Sequence, residues 1–148
     1  MLVVALSMAE MLQHASSIDE PHIVVGMFNP DTMNNEYVDY PKNKHRLGEL
    51  KIAISDSGRV DFTQDANSIM FNREHAMQIK EFVTKYENHI ELIVVHCQAG
   101  ISRSGGLAAA LTYHYNNGNN YYYFSNKSRY VPNSLVYDEM MKVLCDDN

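Results

Sequence analysis

The run Leu92-Ile93-Val94-Val95, taken with the loop and helix that come after it, constrains the fold of this chain more than any other stretch. Four uninterrupted apolar residues suit a short strand covered on both faces, as in the middle of a parallel sheet. The sequence then passes through His96-Cys97-Gln98-Ala99-Gly100-Ile101-Ser102-Arg103-Ser104 into the apolar, helix-compatible stretch LAAALTYHY, which stops at the breaker-rich NNGNN. Parallel strands need a crossover rather than a hairpin, and a strand, a loop and a helix in that order supply one.

The rest of the chain repeats this grammar. Leu2 to Leu6 reads as a first strand running into a short helix. His22 to Phe28, HIVVGMF, reads as a buried strand closed by the turn signal Asn29-Pro30-Asp31. Asn34 to Arg46 is polar, contains Pro41 and suits an irregular loop; Glu49 to Ile54, ELKIAI, is a further strand. Asn72 is placed to cap a helix reaching about Asn88, with Ala76, Ile79, Val83 and Tyr86 near one face. A last helix comes after Pro132, capped by Asn133, with Leu135, Val136, Met140, Val143 and Leu144 as its apolar face. Strands alternating with helices predict one α/β domain over residues 1–148, a mostly parallel central sheet flanked by helices.

Composition narrows the function. At 148 residues and 45% hydrophobic, the chain can build one adequate core. A formal net charge of −6 argues against a nucleic-acid binder, since phosphate-backbone affinity is built from clustered Lys and Arg. The densest basic group, Lys42, Lys44 and Arg46, suits a solvated loop. The two cysteines, Cys97 and Cys145, have neither zinc-ligand spacing nor the numbers of a disulfide framework, so reduced thiols in the cytoplasm are expected. The apolar start MLVVALSMAEMLQHA carries Glu10, lacks a basic leader and is too short to cross a bilayer, so no membrane association is expected.

The chemistry concentrates in the loop. If a strand ends at His96 and a helix begins near Arg103, the backbone between them must curl, and Gly100 can take a positive φ without a Cβ clash. The N–H groups of Gln98, Ala99, Gly100, Ile101, Ser102 and Arg103 can then converge on one hollow at a helix N-terminus, a ready site for an oxyanion. Cys97 at its floor sits in a field that favours thiolate over thiol. Arg103 offers a planar fork for two phosphoryl oxygens. Ser104 brings a hydroxyl towards the sulfur, and His96 is better placed to brace the loop than to shuttle protons.

His96-Cys97, five residues, Arg103 and Ser104 resemble the signature of the cysteine-dependent protein tyrosine phosphatases, and the small chain is most similar to their dual-specificity branch and its compact bacterial and phage relatives. That resemblance implies hydrolysis of phosphate monoesters through a cysteinyl-phosphate, with Cys97 as nucleophile, Arg103 and the loop amides holding phosphoryl oxygens, and no metal or cofactor. It also implies an aspartic acid on an upstream loop that protonates the leaving group. Asp56, Asp61 and Asp65 are the candidates. Asp56 comes directly after a strand and has Ser57 and Gly58 beside it, which favours it; Asp65 lies nearer Cys97 along the chain, in better accord with many dual-specificity enzymes.

Gln98, Ala99, Ile101 and Ser102 carry no charge, whereas phosphoinositide phosphatases of this superfamily usually place lysines in the loop. A singly phosphorylated protein or peptide side chain is therefore the expected substrate. A phosphoinositide, RNA or nucleotide phosphatase and a non-catalytic phosphate-binding relative are the alternatives, and a sulfur- or arsenate-handling enzyme is disfavoured by the position of the loop. The tyrosines from Tyr113 to Tyr130 suit packing and partly exposed surface. Arg129 is a candidate for a second substrate phosphate, although a plain surface arginine is the commoner case. Cys145 suits a buried or frayed-end thiol.

Overall fold

The computed structural model describes residues 1–30, 38–56 and 69–145. In chain order its elements are β1 (Leu2–Leu6), α1 (Met8–His14), β2 (His22–Phe28), β3 (Arg46–Ala53), α2 (Arg73–Tyr86), β4 (Leu92–His96), α3 (Arg103–Tyr115), α4 (Tyr121–Ser125) and α5 (Ser134–Cys145). The four strands form one sheet in the order β1-β4-β2-β3, and every pairing is parallel. β2 and β4 are central, and every residue in them is buried, in accord with their unbroken apolar runs.

Inward-pointing residues on one sheet face, Val3, Ala5, Ile23, Val25, Met27, Ile93 and Val95, share a core with Ala76, Ile79 and Val83 of α2, Leu107 to Leu111 of α3, and Val136, Met140, Val143 and Leu144 of α5. Full burial of an aliphatic side chain such as Ile79 is worth about 1.5–3 kcal/mol. The opposite face is covered more thinly. There Val24, Phe28 and Val94 meet Met11, Ala15 and Tyr40. Strands alternate their side chains between faces, so successive residues of β2 and β4 feed two different cores.

The helix starts are set by their capping residues. Ser7 and Glu10 form a reciprocal capping box on α1, and the Asn72 side chain accepts from the N–H groups of Glu74 and His75 at the start of α2. Asn133 Oδ1 accepts from Val136 N at 3.0 Å and so caps α5 as expected. One expectation needs correction. β3 begins at Arg46 rather than Glu49, because an Asn43-centred turn delivers Arg46 alongside His22 and the parallel ladder extends a strand that apolar content alone did not reveal. The Tyr121–Ser125 stretch forms a helix, in which Tyr123 is buried with its hydroxyl on Val3 O at 2.8 Å, while Tyr121 and Tyr122 are exposed. Cys145, left open between a buried and an end position, is exposed at the end of α5. Among the described residues no helix is long and apolar enough to cross a membrane.

Candidate active site

Residues 97–102 join the end of β4 to the start of α3 and are held by their carbonyls from two sides. Gln98 O accepts from Met8 N at 3.1 Å, and Cys97 N donates to Leu6 O at 3.4 Å, which ties the loop to the β1–α1 junction. On the other side Ile101 O accepts from Val131 N at 3.2 Å and Ser102 O from Asn133 N at 2.9 Å. Gly100 O accepts from Arg129 Nη1 at 3.0 Å, while Arg129 Nη2 pairs with Glu10 Oε1 at 2.9 Å. Carbonyls drawn outward in succession turn the intervening N–H groups the other way. Gly100 N duly donates to Cys97 Sγ at 3.3 Å.

Gly100 has φ +73°, and a Cβ there would lie 2.4 Å from Ser7 N and 2.6 Å from Leu6 C. Both neighbours are backbone and cannot step aside. Gly100→Ala is therefore expected to cost about 1–2 kcal/mol in dihedral strain alone, with the clash added, and to lower turnover at least about tenfold. Thermal denaturation and steady-state kinetics on the same preparation check this.

Cys97 is 2% exposed, and its Sγ lies 3.2 Å from Ser104 Oγ. Ser104, in the first turn of α3, is fully buried, so its hydroxyl is oriented by its setting rather than by solvent. The N-cap of α3 is Ser102, yet its side chain makes no cap hydrogen bond, which leaves the first amides of this helix without that internal acceptor. Arg103 is 4% exposed; its Nη1 donates to Ile54 O at 2.8 Å, and among the described residues its buried Nε has no partner. A buried guanidinium with unspent donor capacity beside uncapped helix amides has the chemistry to receive an anion.

Asp56 lies just past the end of β3. Ile54, one residue beyond that strand, donates to Phe28 O and accepts from Arg103, and Ser55 N donates to Ile69 O at 2.8 Å, so the chain leading into Asp56 is anchored. The exposed Asp56 carboxylate reaches the loop, where Oδ1 accepts from Ser102 Oγ at 2.8 Å and from Asn133 Nδ2 at 3.2 Å. Asp61 and Asp65 lie outside the described residues. His96 is fully buried beneath Cys97. Its Nε2 shares a 2.5 Å hydrogen bond with the Tyr40 hydroxyl, and Gly26 makes room for the pair, since a Cβ there would come within 2.6 Å of both. Burial, with the nearby Lys51 and Arg103 charges, pushes the imidazole down to about 4, and burial pushes the Tyr40 hydroxyl up. Both groups are neutral at ordinary pH, and their hydrogen bond ties the end of β4 to Tyr40.

Three contributors escaped the sequence reading in their actual roles. Tyr40 carried no signal. Asn133 was legible only as a helix cap. Arg129 reads from sequence as a surface arginine or a second-phosphate ligand, and its bonds to Gly100 O and Glu10 are not foreseen there. Among the described residues no cluster of His, Cys, Asp and Glu could hold a metal ion.

An all-parallel four-stranded sheet whose central strand delivers a cysteine loop to the start of a buried helix is the fold of the cysteine-dependent tyrosine and dual-specificity phosphatases. Solved structures bear this out across nearly the whole chain. Human DUSP28 superposes with a TM-score of 0.59 at 12% identity, covering 97% of this chain and 92% of its own. PTPMT1 in complex with PI(5)P gives 0.55 at 15% identity, covering 98% and 91%. OH1 from the Orf virus, a tyrosine phosphatase with triple substrate specificity, gives 0.54 at 15% identity, covering 99% and 84%. The sequence matches no protein-family model and no curated protein sequence.

Proposed function

We propose that this protein hydrolyses phosphate monoesters through a cysteinyl-phosphate intermediate, with phosphorylated tyrosine, alone or with serine and threonine, as its substrate class. The observation that carries this reading is the setting of Cys97. A buried sulfur with an amide donor at 3.3 Å and a hydroxyl at 3.2 Å stands at an uncapped helix start beside a buried arginine. A packing cysteine needs none of these.

Cys97 attacks phosphorus in line, and the bond from phosphorus to the ester oxygen breaks. Arg103 and the amides of Gln98, Ala99, Gly100, Ile101, Ser102 and Arg103 stabilise the equatorial oxygens as charge redistributes. Asp56 gives its proton to the departing oxygen. The ionised Asp56 then takes a proton from water as the water attacks the cysteinyl-phosphate, Ser104 supports the sulfur as it leaves, and inorganic phosphate is released. The substrate class is supported by the loop surface, where Gln98, Ala99 and Ile101 are exposed and uncharged and so add no site for further phosphates.

General acid catalysis contributes about 10²–10⁴-fold, and least where the leaving group is already a good one. Asp56→Asn is accordingly expected to slow phosphoserine peptides about 10²-fold or more, while para-nitrophenyl phosphate slows far less. Equal losses on both substrates, or none, would reassign the acid. Assays on phosphotyrosine, phosphoserine and phosphoinositide substrates test the substrate class; preferential turnover of the phosphoinositide would overturn it.

A further inference from the structure

The Asp56 carboxylate is held in an asymmetric way that bears on how it delivers a proton. Both of its loop contacts fall on the same oxygen, Oδ1, which accepts from Ser102 Oγ at 2.8 Å and Asn133 Nδ2 at 3.2 Å. A carboxylic acid carries its proton on one oxygen and accepts through the other. An oxygen that already receives two donors is the accepting one. The proton is thereby directed to Oδ2.

Neither donor is free to reverse its role. The Asn133 amide cannot be flipped without loss, because its Oδ1 accepts from Val136 N at 3.0 Å at the start of α5, which fixes Nδ2 on the Asp56 side. The Asn133 main chain is locked as well, its N–H donating to Ser102 O at 2.9 Å and its carbonyl accepting from Tyr137 N at 3.0 Å. Ser102 occupies a helix N-cap, where a serine ordinarily accepts from the helix amides, yet it makes no such bond. Its hydroxyl donates to Asp56 instead. Asp56, Ser102 and Asn133 thus close a triangle that joins the end of β3, the loop after β4 and the start of α5.

We propose that Ser102 and Asn133 are positioning residues for proton delivery, clamping Asp56 by one oxygen so that the other carries the proton to the leaving group. This rests on Asp56 being the acid. A clamp that merely braced the fold would affect all substrates alike, whereas one that aims a proton matters most for poor leaving groups.

The experiment compares para-nitrophenyl phosphate with phenyl phosphate, in which the leaving phenoxide is much the more basic. Ser102→Ala removes one donor. Asn133→Asp keeps an oxygen to cap α5, and aspartate is a good cap, but replaces the second donor with an acceptor. Each is expected to lower phenyl phosphate turnover about tenfold while para-nitrophenyl phosphate changes less than about threefold, and Ser102→Thr should restore most of the loss. In an Asp56→Asn background the selective loss should vanish, since no proton remains to be aimed. Equal losses on both substrates, or selective losses that persist without Asp56, overturn the clamp while leaving the phosphatase reading intact. If Asp56→Asn itself slows the two substrates equally, the clamp and the assignment of the acid fail together. Melting temperatures of the variants identify any loss caused by unfolding.

Discussion

Cys97→Ser is expected to abolish turnover, by at least about four orders of magnitude, while the protein still binds vanadate or phosphate. Serine replaces sulfur by a smaller, far less acidic atom, so the nucleophile is lost. Apart from the Gly100 amide, which donates to Sγ, the loop is held by partners other than the sulfur, so anion binding is expected to persist. The loop carbonyls remain pinned through Met8, Arg129, Val131 and Asn133, and Arg103 keeps its bond to Ile54 O. Isothermal titration with vanadate beside single-turnover kinetics separates the two properties. Turnover that survives the substitution would remove the covalent mechanism, and loss of binding along with turnover would show that the sulfur helps shape the cup.

The second large effect concerns Arg103. Lysine keeps the charge but presents its donors from a single nitrogen, so it cannot hold the Ile54 carbonyl and two phosphoryl oxygens at once. Arg103→Lys is expected to lower kcat/KM by about 10²–10³-fold, a loss of several kcal/mol of transition-state binding. Vanadate inhibition should weaken in parallel, because the same fork serves both. A normal rate in this variant would contradict the role assigned to the guanidinium.

Much of this architecture was legible because its signals are local. β2 and β4 announce themselves by unbroken apolar runs, α2 by a cap and a helical period, and the loop by the spacing of Cys97 and Arg103. β3 was read three residues short because Arg46, Leu47 and Gly48 have no strand character of their own; pairing with β2 makes them extended. The tyrosine-rich α4 was missed for a related reason. Aromatic residues are indifferent helix formers, and this one is settled by Tyr123 reaching Val3 O across the fold. The site divides in the same way. Cys97, Arg103, Ser104 and Asp56 can be proposed from sequence, but Tyr40 meets His96 at a separation of 56 residues, Asn133 meets Asp56 at 77, and Arg129 meets Glu10 at 119. No short pattern encodes such pairs. They arise only when the sheet brings the segments together.

The two-sided strapping of the loop has a bearing on how the protein is born. A nascent chain that has emerged only as far as α3 already holds the cysteine, the arginine and the whole sheet, but not Arg129, Val131 or Asn133, which draw three of the loop carbonyls outward. Until that last segment docks, the cup lacks half of its mould. On the proposed function, a chain clipped after α3 carries the signature without the donors that hold the loop from that side.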